Sequence, residues 1–146
     1  MFRALALSLL IVAGASVAER HPQHDLLASS HHKTVRATLG SHCTPTSKRS
    51  MVCADYGYPL NTKERLPVHA GGRIRLTFGK EPERIYPALR DRRSRSILEL
   101  RARGSGLERR VRLPRPLPDG MDRLGVFVEY ERGDADFEVD LKRHRH

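Results

Sequence analysis

Two stretches decide the fold: RIRLTF at residues 73–78 and RLGVFVEY at residues 123–130. In the first, Ile74, Leu76 and Phe78 alternate with Arg73, Arg75 and Thr77. In the second, Leu124, Val126, Val128 and Tyr130 alternate with Gly125, Phe127 and Glu129. A period of two puts every second side chain on one face of a strand, whereas a helix needs apolar residues three and four apart. Both stretches are therefore read as strands with one buried face.

The same rhythm extends outward from them. Val35, Ala37 and Leu39 alternate before Gly40, which is read as the end of that strand, and Met51 to Asp55 makes a short strand around Cys53. Arg84 to Leu89 reads as a weaker strand, placed at an edge because Pro87 has no N–H to give a ladder. Leu98, Leu100 and Ala102 form one strand, and Gly104-Ser105-Gly106 turns it into Val111 and Leu113. Pro114, Pro116 and Pro118 stop that strand, and Phe137, Val139 and Leu141 make the last one. About seven or eight short strands between Gly, Pro and Asp turns, with no amphipathic helix, predict an all-β sandwich. Trp is absent, so Val, Ile and Leu must fill its core.

The chain divides accordingly. Residues 1–18 read as a cleavable signal peptide: Arg3 supplies the positive end, Ala4 to Val12 the apolar run, and Ser16-Val17-Ala18 the small-residue cut. That run is shorter than a membrane span, and no second one follows, so the mature protein is not expected to cross a membrane. Residues 19–33 are polar and His-rich and are read as a flexible leader, with structure beginning near Thr34. The sandwich is assigned to 34–142 and a basic tail to 143–146. Cys43 and Cys53 allow one intrachain pairing, and an exported chain favours it as a disulfide staple.

Several short motifs carry a likeness. Gly40-Ser41-His42-Cys43, Cys53-Ala54-Asp55-Tyr56, the run from Leu66 to Gly72 and Arg132-Gly133-Asp134-Ala135-Asp136-Phe137 resemble small secreted bacterial proteins of unknown function. Those proteins are similar to immunoglobulin-like sandwiches, which implies that architecture over roughly residues 34–142. His42 stands where they carry an aromatic residue. The resemblance implies no activity.

Charge supplies the functional candidates. The formal net charge is +10, and it is unevenly spread. Between Arg84 and Arg115, eleven arginines meet three carboxylates, whereas between Asp119 and Asp140, eight carboxylates meet two arginines. The basic strands can pair with the acidic ones inside the fold, and whatever is left over favours polyanions. Arg73, Arg75, Arg101, Arg103, Arg110 and Arg112 are the expected contacts to an anionic cell-wall polymer or acidic glycan, since the planar guanidinium binds carboxylate and phosphate bidentately. No specific nucleic acid is expected, and no cofactor.

The alternative reading is an extracellular copper or nickel protein. Cutting after Ala18 leaves Glu19-Arg20-His21, whose free amine, two amide nitrogens and imidazole form a square-planar set, with His24 close behind. Arg132-Gly133-Asp134 matches an adhesion tripeptide but is read as a turn. Asp55, Tyr56, Tyr58 and His42 are a weaker candidate pocket. The sequence contains no G-x-S-x-G, no H-E-x-x-H and no phosphate loop, so no enzyme is expected.

Overall fold

The computed structural model describes residues 20–57, 60, 62, 64–93 and 95–144. The expected signal peptide and Glu19 lie outside the described residues. A 3-10 turn at Pro22–His24 precedes twelve strands among those described: β1 (Leu26–Ser30), β2 (Lys33–Arg36), β3 (Thr38–Pro45), β4 (Met51–Ala54), β5 (Arg65–Val68), β6 (Arg73–Phe78), β7 (Arg84–Arg90), β8 (Ile97–Glu99), β9 (Ala102–Arg103), β10 (Glu108–Arg112), β11 (Arg123–Glu129) and β12 (Asp134–Arg143).

The strands build two sheets. The smaller has the order β2-β1-β6-β10-β9, and the larger β4-β3-β12-β11-β7-β8. All pairings are antiparallel except one: β5 lies parallel to the C-terminal half of β12, with Leu66 opposite Leu141. Apolar side chains from both sheets meet in a single core. Leu26, Ile74, Leu76 and Val111 come from the smaller sheet, and Leu66, Leu124, Val126 and Phe137 from the larger, all fully buried. Burying each such side chain contributes on the order of 1.5–3 kcal/mol. The result is an all-β, sandwich-like fold, closed at one edge by a disulfide between Cys43 and Cys53, which face each other across β3 and β4.

Several boundaries differ from the sequence expectation. Structure begins well before Thr34. Leu26 and Ala28 are fully buried in β1, which pairs with both β2 and β6. Ahead of it, Gln23 is buried, donates to the Arg132 carbonyl at 2.9 Å, and its own carbonyl accepts the Tyr130 hydroxyl at 3.2 Å. Leu26, Ala28 and the two hydrogen bonds of Gln23, one from its side-chain Nε2 and one to its backbone carbonyl, tie the polar segment 20–33 to the fold. The tail also starts later, because β12 runs through Arg143 and the His144 amide donates to the Val68 carbonyl.

The segment 34–39 is not one strand. Val35 faces the core from the smaller sheet, and after Ala37 the chain crosses to the larger sheet as β3. Gly40 does not end β3. It sits where the β3–β12 register shifts, and a Cβ there would lie 2.9 Å from Leu60 Cδ1 and 3.2 Å from the Asp136 carbonyl oxygen. Leu98, Leu100 and Ala102 also divide between sheets: β8 joins β7 and β9 joins β10. Nor is β7 an edge strand, since it pairs with β11 along its length and with β8 from Ala88. The Pro87 carbonyl accepts from Leu100 N, so the ring nitrogen faces the side on which β8 has ended and interrupts no ladder.

Candidate functional site: an open arginine face

On β6 the inward residues are Ile74, Leu76 and Phe78, so Arg73 and Arg75 point out of the smaller sheet. On β10, Val111 is buried and Arg110 and Arg112 point out. The antiparallel register sets Arg112 opposite Arg73 and Arg110 opposite Arg75. The β9–β10 register then sets Arg103 opposite Arg110. Extending it by one pair brings Arg101 beside Arg112. The six arginines singled out from the sequence thus form a block two residues long and three strands wide. Neighbouring strands lie about 4.8 Å apart.

All six are exposed. Five of them, all but Arg75, line one open groove of about 610 Å³, and Arg73, Arg75 and Arg110 border a second of about 500 Å³ that continues to Lys33 and Thr34. The row through Arg103, Arg110 and Arg75 runs on into Ser29 and Thr34, whose hydroxyls are 2.9 Å apart. Among the described residues the only carboxylate paired with the block is Glu108, 3.3 Å from Arg110 and itself exposed. An exposed pair of that kind contributes little. No aromatic ring from β1, β2, β6, β9 or β10 stands on this face, because the only aromatic residue in those strands, Phe78, is buried inward.

Four arginines outside the block, Arg90, Arg109, Arg123 and Arg143, are held by the fold instead. Arg123 reaches Glu138 at 3.0 Å and Asp140 at 2.8 Å, and Arg90 lies 3.5 Å from both Asp136 and Glu138. Glu138 is fully buried. Arg90 can lie across the sheet because residue 125 has no side chain: a Cβ there would be 2.4 Å from the Arg90 Cζ. Burial pushes the Asp136 carboxyl up to about 7, and the Glu138 charge adds to the shift. Arg109 points inward opposite Leu76 and donates to the carbonyls of Gly106, Glu108 and Pro82. Arg143 is held by Asp122 and by the carbonyls of Leu117, Pro118 and Met121.

The other sequence candidates meet only in part: the His21 and His24 ring centroids lie 5.2 Å apart, His24 meets His42 at 4.4 Å, and His42 stacks on Tyr56 at 6.2 Å. Of the square-planar set, Glu19 lies outside the described residues. Arg20 is exposed, and the Nδ1 that such a set needs from His21 accepts the Gln23 amide at 3.2 Å. His24 Nε2 is 2.6 Å from the Thr44 hydroxyl, and burial, then His42, then His21, lower its pKa. Among the described residues no three His, Cys, Asp or Glu side chains form a ready metal cage. Arg132 donates to the Ser47 carbonyl at 2.7 Å, and Gly133, at φ +92°, packs against the Cys43 carbonyl, so the tripeptide serves the β11–β12 turn. Ser41 donates to Asp55 at 2.7 Å while His42 turns its Nδ1 to the Gly40 carbonyl, so these three do not form a nucleophile–base relay. Tyr58 lies outside the described residues. No helix of the described residues is long and apolar enough to cross a membrane.

No family model, curated protein or solved structure matches this chain.

Proposed function

We propose that this chain is an exported, non-catalytic binding protein whose arginine face holds an anionic polymer of the cell wall or an acidic glycan. The observation that carries the reading is the six-arginine block on the outer face of the smaller sheet, to which only one carboxylate, Glu108, is ion-paired among the described residues. Like charges directly opposite one another destabilise a sheet. A fold that keeps Arg73 against Arg112 and Arg75 against Arg110 is readily explained if an outside anion neutralises them.

The ligand class follows from what the face lacks. Single-stranded nucleic acid is held largely by bases stacking on aromatic rings, and among the described residues no Phe, Tyr or Trp ring of these strands points outward here. Uncharged sugars also favour aromatic platforms. A flat array of forked donors, continued by the Ser29 and Thr34 hydroxyls, matches closely spaced carboxylate, sulfate or phosphate groups on a flexible chain. On this reading residues 1–18 act as a signal peptide, and the chain works outside the membrane. The immunoglobulin-like arrangement and the kinship with small secreted sandwich proteins belong to the same proposal, on the motifs around Cys43, Cys53 and Arg132.

Retention on immobilised heparin and on isolated cell wall tests this. The full chain should bind both and elute with a steep salt dependence. A variant with Arg73, Arg75, Arg110 and Arg112 all changed to Gln should elute with a neutral control while remaining folded. Wild-type elution at low salt, or equal retention of the variant, overturns the reading, and preferential binding to single-stranded DNA over both polymers rejects the ligand class.

A further inference from the structure

The turn between β1 and β2 carries a strain that the arginine face does not explain. His31 has φ +48° and His32 φ +62°, so both residues of a two-residue hairpin turn are left-handed. Such turns strongly favour Asn-Gly, because other side chains crowd the backbone in that conformation. Two consecutive non-glycine residues held there are an outlier of the kind that gathers at functional sites.

The strained turn aims its first imidazole at a second one. His31 Nε2 lies 2.5 Å from His69 Nδ1, although the two residues are 38 apart in sequence. His69 follows β5, and His144 follows β12, which is the parallel partner of β5. The His144 ring centroid is 5.7 Å from that of His31. Three separate segments therefore bring imidazoles to one edge of the molecule.

We propose that His31 and His69 are the paired ligands of a zinc-class transition-metal ion. Imidazole nitrogens bind such an ion at about 2.0–2.1 Å, so two ligands in one coordination sphere sit roughly 3 Å apart. The present 2.5 Å gap is within about an ångström of that spacing. The surroundings select the metal class. His31 borders a groove with Lys33, Arg73 and Arg75, and His69 borders one with Arg112 and Arg115. Among the described residues no carboxylate lines either groove, and imidazole nitrogens suit Zn²⁺, Cu²⁺ or Ni²⁺ better than Ca²⁺ or Mg²⁺. The inference does not depend on polymer binding, nor on where the chain is cut.

Zinc is the right probe, since it does not deprotonate backbone amides and so does not report the square-planar set at Glu19-Arg20-His21. Zn²⁺ is titrated calorimetrically into the full chain at pH 7.5. One ion should bind with micromolar affinity. The His31→Ala/His69→Ala double variant should bind at least roughly tenfold more weakly. His21→Ala should bind as the wild type does, and His32→Gly, which relieves the turn and keeps both ligands, should too. Imidazole nitrogen NMR shifts of the wild type guard against a misfolded double variant: zinc should perturb His31 Nε2 and His69 Nδ1. No zinc uptake, uptake unchanged in a folded double variant, or shifts confined to His21 and His24 overturns the proposal and leaves an imidazole hydrogen bond alone.

Discussion

The outer faces of the two sheets carry the same cation in opposite states. On the smaller sheet, arginines oppose arginines: Arg73 with Arg112, Arg75 with Arg110. On the larger sheet, Arg123 from the adjacent strand β11 and Arg90 from β7, reaching across β11, lie against Asp136, Glu138 and Asp140 of β12. The difference comes from chain order. The basic strands β6 and β10 neighbour one another, and the acidic strand β12 pairs with β11, β3 and β5. Segregated charge along the sequence becomes segregated charge between sheets. Ion pairs occupy the charges at the centre of one sheet, and the opposed arginines of the other stay exposed.

The comparison breaks most visibly at Arg123. Changing it to Met leaves Glu138 buried with only the 3.5 Å approach of Arg90. Removing one partner of a buried pair costs about 3–5 kcal/mol. Denaturant unfolding should show that loss for Arg123→Met, and less than about 0.5 kcal/mol for Arg75→Met on the exposed face.

The next effect is one of pH. The Asp136 carboxyl is held at about 7 in the folded chain, above its ordinary 3.8, so between those values the folded state keeps a proton that the unfolded state has lost. The stability contributed by this group is full below pH 4, falls as pH rises, and is gone above pH 7. Asp136→Asn removes the dependence. Thermal unfolding across pH 4–8 should show a flatter profile for the variant, with a gain over wild type of about 2–4 kcal/mol at pH 8.

A smaller effect tests how Arg90 is seated. Gly125→Ala puts a Cβ against the guanidinium, which must swing away from Asp136 and Glu138. The displaced interactions set the cost at about 1–2 kcal/mol, read by the same unfolding experiment. The smallest stability effect belongs to the open block: Arg110→Gln removes a like-charge opposition and should leave stability within about 0.5 kcal/mol of wild type. Its signature is instead earlier elution from an anionic column.

The strands around Ile74, Leu76, Val126 and Val128 were legible because their period of two is unbroken and all four side chains are fully buried. The outward arginines of β6, β9 and β10 were legible for the same reason, since a known inward face fixes the other. Periodicity does not say which sheet a strand joins. Val35 and Leu39, or Leu98 and Ala102, keep one rhythm across a crossover because both sheets bury the same kind of face. Strand β1 was missed because only alternate positions of a polar segment face the core, Leu26 and Ala28, and β5 was missed because Pro67 interrupts a short run. The Arg90–Asp136–Glu138–Arg123 cluster left a faint trace: three carboxylates at alternate positions from Asp136 to Asp140, opposite a glycine in the strongest strand.

Arginine-specific dicarbonyl labelling with peptide mass spectrometry, with and without heparin, tests the division between the two faces most directly. Arg73, Arg75, Arg101, Arg103, Arg110 and Arg112 should label fast in the free protein and be protected by the polymer, while Arg90 and Arg123 label slowly in both states. Uniform labelling of all eight, or rapid labelling of Arg123 with no protection of the six, contradicts it.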